Sequence, residues 1–419
     1  MSGTAYVIGA GLSGLSAAVE LAAHGVHVEV FEAAPQAGGR CRSYFDPVLN
    51  RVIDNGNHLV LSGNHATFAY LDRIGAREHL VGPDNAEFHF VDVTSGTRWT
   101  IRPNEGPLAW WIFSAARRVP GTKSTDYLAI AQLLWPRHGS WVRDVIDCDG
   151  TLWHRLLKPV LVAALNSEPE TASAALAGVV LRETMAKGGR AYRPRVASPD
   201  LAAAFVDPAV AYLQSKDCKV QLGQRLRQIE FAKDRAASLS LSQGQPEIGR
   251  RDILVIATPP WITRELIPEI TTPTEFRAIL NAHFSAPSPP GAPQMTGVIG
   301  GAAEWVFAFP DRISVTVSNA DRFMDENRDG LVGLLWRDVA AALNLSDDPP
   351  LCQIVKERRA TFAATPEQAR LRPRAETRWP NLLLAGDWTD TGLPATIEGA
   401  IRSGRKAADL ALKRLSKAD

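Results

Sequence analysis

Cysteine is scarce in this chain of 419 residues: Cys41, Cys148, Cys218 and Cys352 stand far apart and form no Cys-x-x-Cys pair. That excludes a disulfide framework and a zinc site of the paired-cysteine kind, leaves no metal site to expect, and suits a reducing cytoplasm. Charge of one sign is equally lacking. With 46 Lys and Arg against 45 Asp and Glu the formal net charge is +1, so nothing in the overall field calls for a nucleic acid or another polyphosphate. Long hydrophobic runs are missing as well. No stretch reaches the ~18 to 20 apolar residues needed to cross a bilayer. The apolar start is interrupted by Gly9, Gly11 and Gly14 and has no basic segment ahead of it, so no secretory signal is expected.

What is present is a globular composition, 45% hydrophobic and 22% charged, in a chain longer than the roughly 250 to 300 residues at which single cores stop growing. Two lobes are therefore expected. Residues 5–8 read as a buried strand, 13–23 as a helix with small residues on its sheet side, and 26–31 as a second strand, the local signature of a parallel nucleotide-binding sheet. That unit is not repeated. Residues 88–93 and 97–101 read as a hairpin around Ser95-Gly96, 107–181 as mainly helical, and 219–222, 226–231 and 253–257 as strands. Residues 305–309 and 313–318 alternate as a hairpin with one wet face, 329–343 as an amphipathic helix, 382–385 as a strand and 396–415 as a helix, with 287–293 a Pro-rich surface loop.

The expected fold class is α/β: a Rossmann-like, two-dinucleotide-binding lobe with an inserted α+β substrate domain. The first lobe would comprise 1–87, 210–265 and 376–419; the second, 88–209 and 266–375. Lobes interleaved in this way place a cleft between them.

Gly9-Ala10-Gly11-Leu12-Ser13-Gly14 follows a strand and opens a helix. Gly9 permits the tight turn, Gly11 lets backbone amides approach a pyrophosphate, and Gly14 lets the helix pack on the strand. The anion sits at the positive helix end. Glu32, with Ala33 after it, ends the second strand, where a carboxylate accepts the hydroxyls of an adenosine ribose and repels a 2'-phosphate. Gly38-Gly39-Arg40 and Gly386-Asp387 extend the contacts to both ends of the chain, a reach that favours FAD over a nicotinamide dinucleotide. Ala395, Thr396 and Ile397 open the last helix, whose free amides suit a reduced, anionic flavin. Gly56, Asn57, His58, Leu226 and Ala257 complete the expected cofactor-contact set.

The stretches Val7 to Leu15, Gly38-Gly39-Arg40 and Leu384-Ala385-Gly386-Asp387 resemble the flavin amine oxidase and phytoene desaturase superfamily. Asp54-Asn55-Gly56-Asn57-His58, Ala164-Leu165-Asn166-Ser167-Glu168-Pro169 and Lys356 to Phe362 are similar to its hydroxysqualene dehydroxylase family, the squalene-associated FAD-dependent desaturases. Gly63-Asn64-His65 and residues 193–199 depart from the superfamily pattern. The resemblance implies reductive removal of a hydroxyl from hydroxysqualene, giving squalene for hopanoid synthesis, with hydride carried by FAD. It also implies recharging by a reduced nicotinamide, NADPH or NADH, a long apolar isoprenoid substrate, and association with the enzyme that makes hydroxysqualene.

His58, the histidine inside a motif, is the candidate general acid for a departing hydroxyl; the bland alternative is a backbone hydrogen bond beside the cofactor. Cys41 reads as a small buried hydrophobe rather than a redox thiol. Six of the eleven tryptophans fall between Trp99 and Trp153, interleaved with basic residues. They suit peripheral contact with the inner face of a membrane over 108–141, or else a core or substrate tunnel. A carotenoid-type desaturase, an amine oxidase and a catalytically silent FAD-binding partner remain as other classes. An aromatic pair framing an amine is not evident, since the C-terminal stretch offers only Trp388.

Overall fold

The computed structural model describes residues 3–137 and 139–416; the expected lobe limits at 1 and 419, and His138 within 108–141, lie outside them. A five-stranded parallel sheet takes its strands from the start, middle and end of the chain, in the order Lys219–Gln221, His27–Phe31, Thr4–Ile8, Ile253–Ile256, Leu382–Leu384. Its inner strand Ile253–Ile256 is apolar and buried throughout because both faces are covered. Ile253, Val255 and Leu383 enter a core with the helices Leu12–Ala23 and Ile397–Ser416, while Leu254, Ile256, Leu382 and Leu384 enter the core on the opposite face. The hairpin Leu226–Ala232 with Arg235–Leu241 covers part of that opposite face through Ile229 and Leu239. Asn381 clips it in place, exchanging hydrogen bonds of 3.0 and 2.9 Å with the backbone of Ala236.

The helices Leu12–Ala23 and Ile397–Ser416 cross at near backbone contact. A Cβ on Gly404 would lie 2.1 Å from the Ser13 carbonyl oxygen, and the Ser16 hydroxyl donates to the Ile401 carbonyl at 3.0 Å. Small residues on the first helix are thus a packing requirement.

A seven-stranded mixed sheet forms the second lobe, in the order Cys352–Phe362, Phe276–Phe284, Ile313–Val317, Trp305–Ala308, Met295–Ile299, Phe88–Asp92, Thr97–Ile101. The helix Arg328–Leu343, capped by Asn327 accepting from the Gly330 amide, covers one face. The other packs on a helical region, with Trp305 and Phe307 turned one way and Val306 the other. The hairpin containing them is therefore buried on both sides, not wet on one as its alternation suggests.

The span 107–181 is helical only in pieces, with short turns at Trp110–Phe113, Ser124–Tyr127 and Val142–Asp144. Its longest helical stretch widens into a π-turn at Trp153–Leu157, just before Pro159; Ala202–Val206 does the same before Pro208. A proline lacks the amide and pushes away the carbonyl four residues back, which widens the preceding turn. Leu201, Ala204, Phe205 and Val206, expected in the 88–209 part of the second lobe, share the core of the nucleotide lobe. The strand Pro194–Ala197 pairs with Val60–Leu61 and Leu80–Val81, also from the first span.

Candidate flavin site

The turn after the first strand is built as its glycines require. Gly9 adopts φ +106°, where a side chain would be strained, and a Cβ on Gly14 would lie 1.9 Å from the Gly9 carbonyl oxygen. Gly11, the N-cap of Leu12–Ala23, makes no side-chain cap bond, and a Cβ there would meet nothing within 4 Å. Open space thus lies against the amino end of a twelve-residue helix, whose first amides have no partner inside the helix. A pyrophosphate fits that cradle. The Gly9 amide donates to the Phe31 carbonyl and the Ala257 amide to the Ile8 carbonyl, each at 2.8 Å, so Ala257 backs the turn.

Glu32 ends the second strand with its carboxylate spread over two loops: Oε2 accepts from the Ala10 amide and Oε1 from the Ala34 amide, both at 2.8 Å. Each oxygen keeps a further lone pair for a ribose hydroxyl. Gly223 and Gln224 donate to the carbonyls of Ala34 and Glu32 at 3.0 and 2.8 Å, which brings the segment leading to Leu226 beside this carboxylate. Leu226 itself is buried; Ala33 is exposed.

Gly38-Gly39 folds onto the glycine turn. The Gly38 amide donates to the Ala10 carbonyl at 2.8 Å, and the two residues have φ +105° and +57°. Arg40 then reaches across the molecule. Its Nη2 donates to both carboxylate oxygens of Asp387 at 2.8 Å, and its Nη1 to the Ala360 carbonyl in the second lobe. The Gly386 amide donates to Ser403 Oγ at 2.9 Å, and Thr389 bonds the same hydroxyl at 2.7 Å. The Gly386-Asp387 turn is thereby fastened to the helix opened by Ala395, Thr396 and Ile397. Thr396 Oγ1 accepts from the Gly399 amide at 3.0 Å, an N-cap bond. Hydrogen bonds therefore link the glycine turn to Glu32 and to Gly38, and Arg40 to Asp387, so that residues from both ends of the chain form one connected set.

The segment from Asp54 to His58 lies on the large sheet. A Cβ on Gly56 would come 2.9 Å from Asn281 Nδ2, and Asn57 Nδ2 donates to Thr316 Oγ1 at 3.1 Å, while Thr316 donates to Asn281 Oδ1 at 2.8 Å. Asn55 Nδ2 donates to the Arg40 carbonyl at 3.4 Å and to Glu357 at 3.3 Å. Burial, with the positive charge of Arg40 beside it, pushes His58 down to about 4. At neutral pH the ring is mainly uncharged. His58 thus sits next to Arg40 as a mainly neutral ring.

Cys41 is buried, and burial pushes its thiol well above the ordinary range, so no thiolate forms there. Trp388 is locked under the Gly386 turn with its indole donating to the Thr258 carbonyl at 3.0 Å, which removes it as the free wall of an amine cage. Sequence reasoning missed Asn281, Thr316, Ala360 and Arg372. The last donates to the carbonyls of Asp387 and Thr389, and burial holds its pKa down at about 10. Asn281, Thr316 and Arg372 lie in no motif, and Ala360, inside the stretch Lys356 to Phe362, shows no role from its type; the fold alone brings the four together.

Residues 12–412 match the model of the flavin containing amine oxidoreductase family. The chain is 52% identical over 413 residues to a hydroxysqualene dehydroxylase from Rhodopseudomonas palustris, covering 98% of this chain and 99% of that protein. It is 50% identical over 407 residues to a protein of the same description from Sinorhizobium fredii, covering 97% and 98%. Cyclohexylamine oxidase from Brevibacterium oxydans has the same fold, with TM-score 0.72 over 98% of this chain and 99% of that one at 15% identity.

Proposed function

Since the chain belongs to the flavin containing amine oxidoreductase family and, within it, to the hydroxysqualene dehydroxylases, an FAD-dependent oxidoreductase, we propose that it converts hydroxysqualene to squalene in bacterial hopanoid synthesis. The observation that carries this reading is end-to-end similarity to proteins of that description on a chain whose cofactor cradle is intact. The reaction replaces a C–O bond by a C–H bond: two electrons and two protons enter, and water leaves. Reduced FAD, when bound, supplies the electrons as hydride to the carbon that loses oxygen. A reduced nicotinamide, NADPH or NADH, is the external source of those electrons.

The chain's own part is holding and shielding. The Gly9 to Gly14 turn and the amino end of Leu12–Ala23 take the pyrophosphate, Glu32 the ribose, and the Arg40–Asp387 pair closes the cradle between them. The amino end of Ile397–Ser416 offers positive potential to a charged flavin ring. The site must be dry, because water would capture a carbon from which oxygen is departing and return the alcohol. His58, held mainly neutral at working pH by burial and the Arg40 charge, is a poor proton source. Anaerobic incubation of the photoreduced protein with hydroxysqualene should give one squalene per flavin reoxidised. Unreacted substrate with a flavin that still reduces and reoxidises would replace this reading by desaturation of another isoprenoid.

A further inference from the structure

Large apolar side chains are well exposed at few places, and four of the most exposed cluster in one short stretch: Trp110 at 64%, Phe113 at 65%, Leu128 at 65% and Trp135 at 78%. We propose that these four side chains form a docking face for a lipid bilayer carrying anionic headgroups. The proposal stands on surface geometry and charge and does not rest on the assignment of the reaction.

Two adjoining elements present the face. Trp110 and Phe113 sit one turn apart on Trp110–Phe113, with ring centroids 6.2 Å apart. Between them Trp111 turns inward, buried, and meets Tyr127 edge-on at 5.3 Å. That contact sets the first turn beside the helix Leu128–Leu134. Leu133 points inward, and its carbonyl abuts Gly178, where a Cβ would come within 2.2 Å. Leu128, Ala131 and Trp135 are spaced by three and four residues, one helical stripe, and that stripe is exposed. A soluble helix ordinarily turns such a stripe to the core. Here the inward anchors are already satisfied and a second apolar stripe faces out.

The charge around the face selects the partner. Residues 107–143 hold Arg117, Arg118, Lys123, Arg137 and Arg143 against Asp126, with Glu105 and Asp144 just outside that span, so the stretch remains basic in a molecule whose net charge is only +1. A second copy of this chain would bring these like charges together. An anionic lipid surface neutralises them, contributing about 1 kcal/mol for each basic residue near it. Tryptophan also prefers the headgroup level. No helix among the described residues is long and apolar enough to cross a membrane, so the contact is peripheral.

The test is flotation of the FAD-loaded protein with vesicles of phosphatidylcholine alone and of phosphatidylcholine mixed equally with phosphatidylglycerol, alongside sedimentation velocity without lipid. The wild type should float with the mixed vesicles, and raised salt should weaken that binding. A Trp110→Ala, Phe113→Ala, Trp135→Ala variant should partition at least about tenfold less with unchanged thermal unfolding, because the three side chains are exposed. A Phe45→Ala variant, altering an exposed aromatic elsewhere, should float like the wild type. Equal flotation of the triple variant, no flotation of the wild type, or a dimer that the triple variant abolishes would each overturn the proposal.

Discussion

Glu32 holds two backbone amides and is placed to accept a ribose, so its removal acts twice. Glu32→Ala should weaken FAD binding by about 1 to 3 kcal/mol, the range for hydrogen bonds to a charged group. Glu32→Gln, keeping one acceptor oxygen, should lose less. Titration of the apoprotein with FAD measures both, and unchanged affinity would remove the ribose from this carboxylate. His58 gives a prediction of the opposite kind. With its pKa down at about 4, the single-turnover rate should be flat from about pH 6 to pH 8 in this group, and His58→Asn should slow it far less than the 10²-fold to 10⁴-fold of a lost general acid. A rate that falls on a titration near neutrality and loses that dependence in the variant would restore the acid role.

His283 carries a stability prediction. It is fully buried with Nδ1 2.8 Å from Ser314 Oγ, and burial, then the charge of Arg312, pushes it down to about 4. A depressed histidine means that the unfolded chain takes up the proton first. Stability is therefore unaffected above about pH 6.5, declines as pH falls from there toward about 4, and levels off below. The full loss is on the order of 3 kcal/mol from this group. Urea unfolding across that range reads it, and His283→Gln should flatten the slope even if it lowers the plateau.

At the scale of elements, two helical glycines should behave oppositely. Gly404→Ala drives a Cβ into the Ser13 carbonyl at 2.1 Å and should destabilise by about 1 to 3 kcal/mol, as overpacked cores do. Gly333 lies exposed within Arg328–Leu343, and a Cβ there would meet nothing within 4 Å, so Gly333→Ala should stabilise by up to about 1 kcal/mol. Thermal unfolding of the pair compares them directly. The same scale shows what the sequence makes legible. The first strand, turn and helix are local, and the glycines of the turn answer to a tight bend or to the cofactor, so pattern reading finds them. The strand Cys352–Phe362 is invisible to that method. It is an edge strand, and Lys356 and Arg358 reach out to the carbonyls of Met324 and Glu326, the charged dress that protects an edge and erases its apolar pattern. The tryptophans divide in a way composition does not encode: Trp99, Trp111 and Trp153 are core, Trp110 and Trp135 are surface.

At the scale of the whole molecule, Arg40 is the tie between the chain's beginning, its end and the second lobe. Asp387 is buried, but the Arg40 side chain is 43% exposed, so solvent weakens the pair, and a double-mutant cycle with Arg40→Ala and Asp387→Ala should give a coupling of about 1 to 2 kcal/mol. Loss of FAD on dilution should rise in either single variant. Zero coupling would mean that the two residues serve the cofactor separately. The candidate site was half legible for the same reason that this tie matters. Residues of the glycine-rich motifs declare themselves, whereas Asn281 and Thr316 enter only when distant strands pair.

The sheet that seats the cofactor also has a history in time. Its central strand meets Ile253–Ile256 across a separation of 248 residues at the Thr4–Asp252 bond, and the first helix meets the last across 385 at Ser16–Ile401. A ribosome delivers the glycine turn and Glu32 more than 350 residues before the Asp387 half of the cradle. Until then the first strand and helix must wait without their closing partners, an aggregation-exposed state of the kind that long-range pairing imposes. Both halves of the cradle are therefore present for a flavin only after Asp387 has been made and has met Arg40.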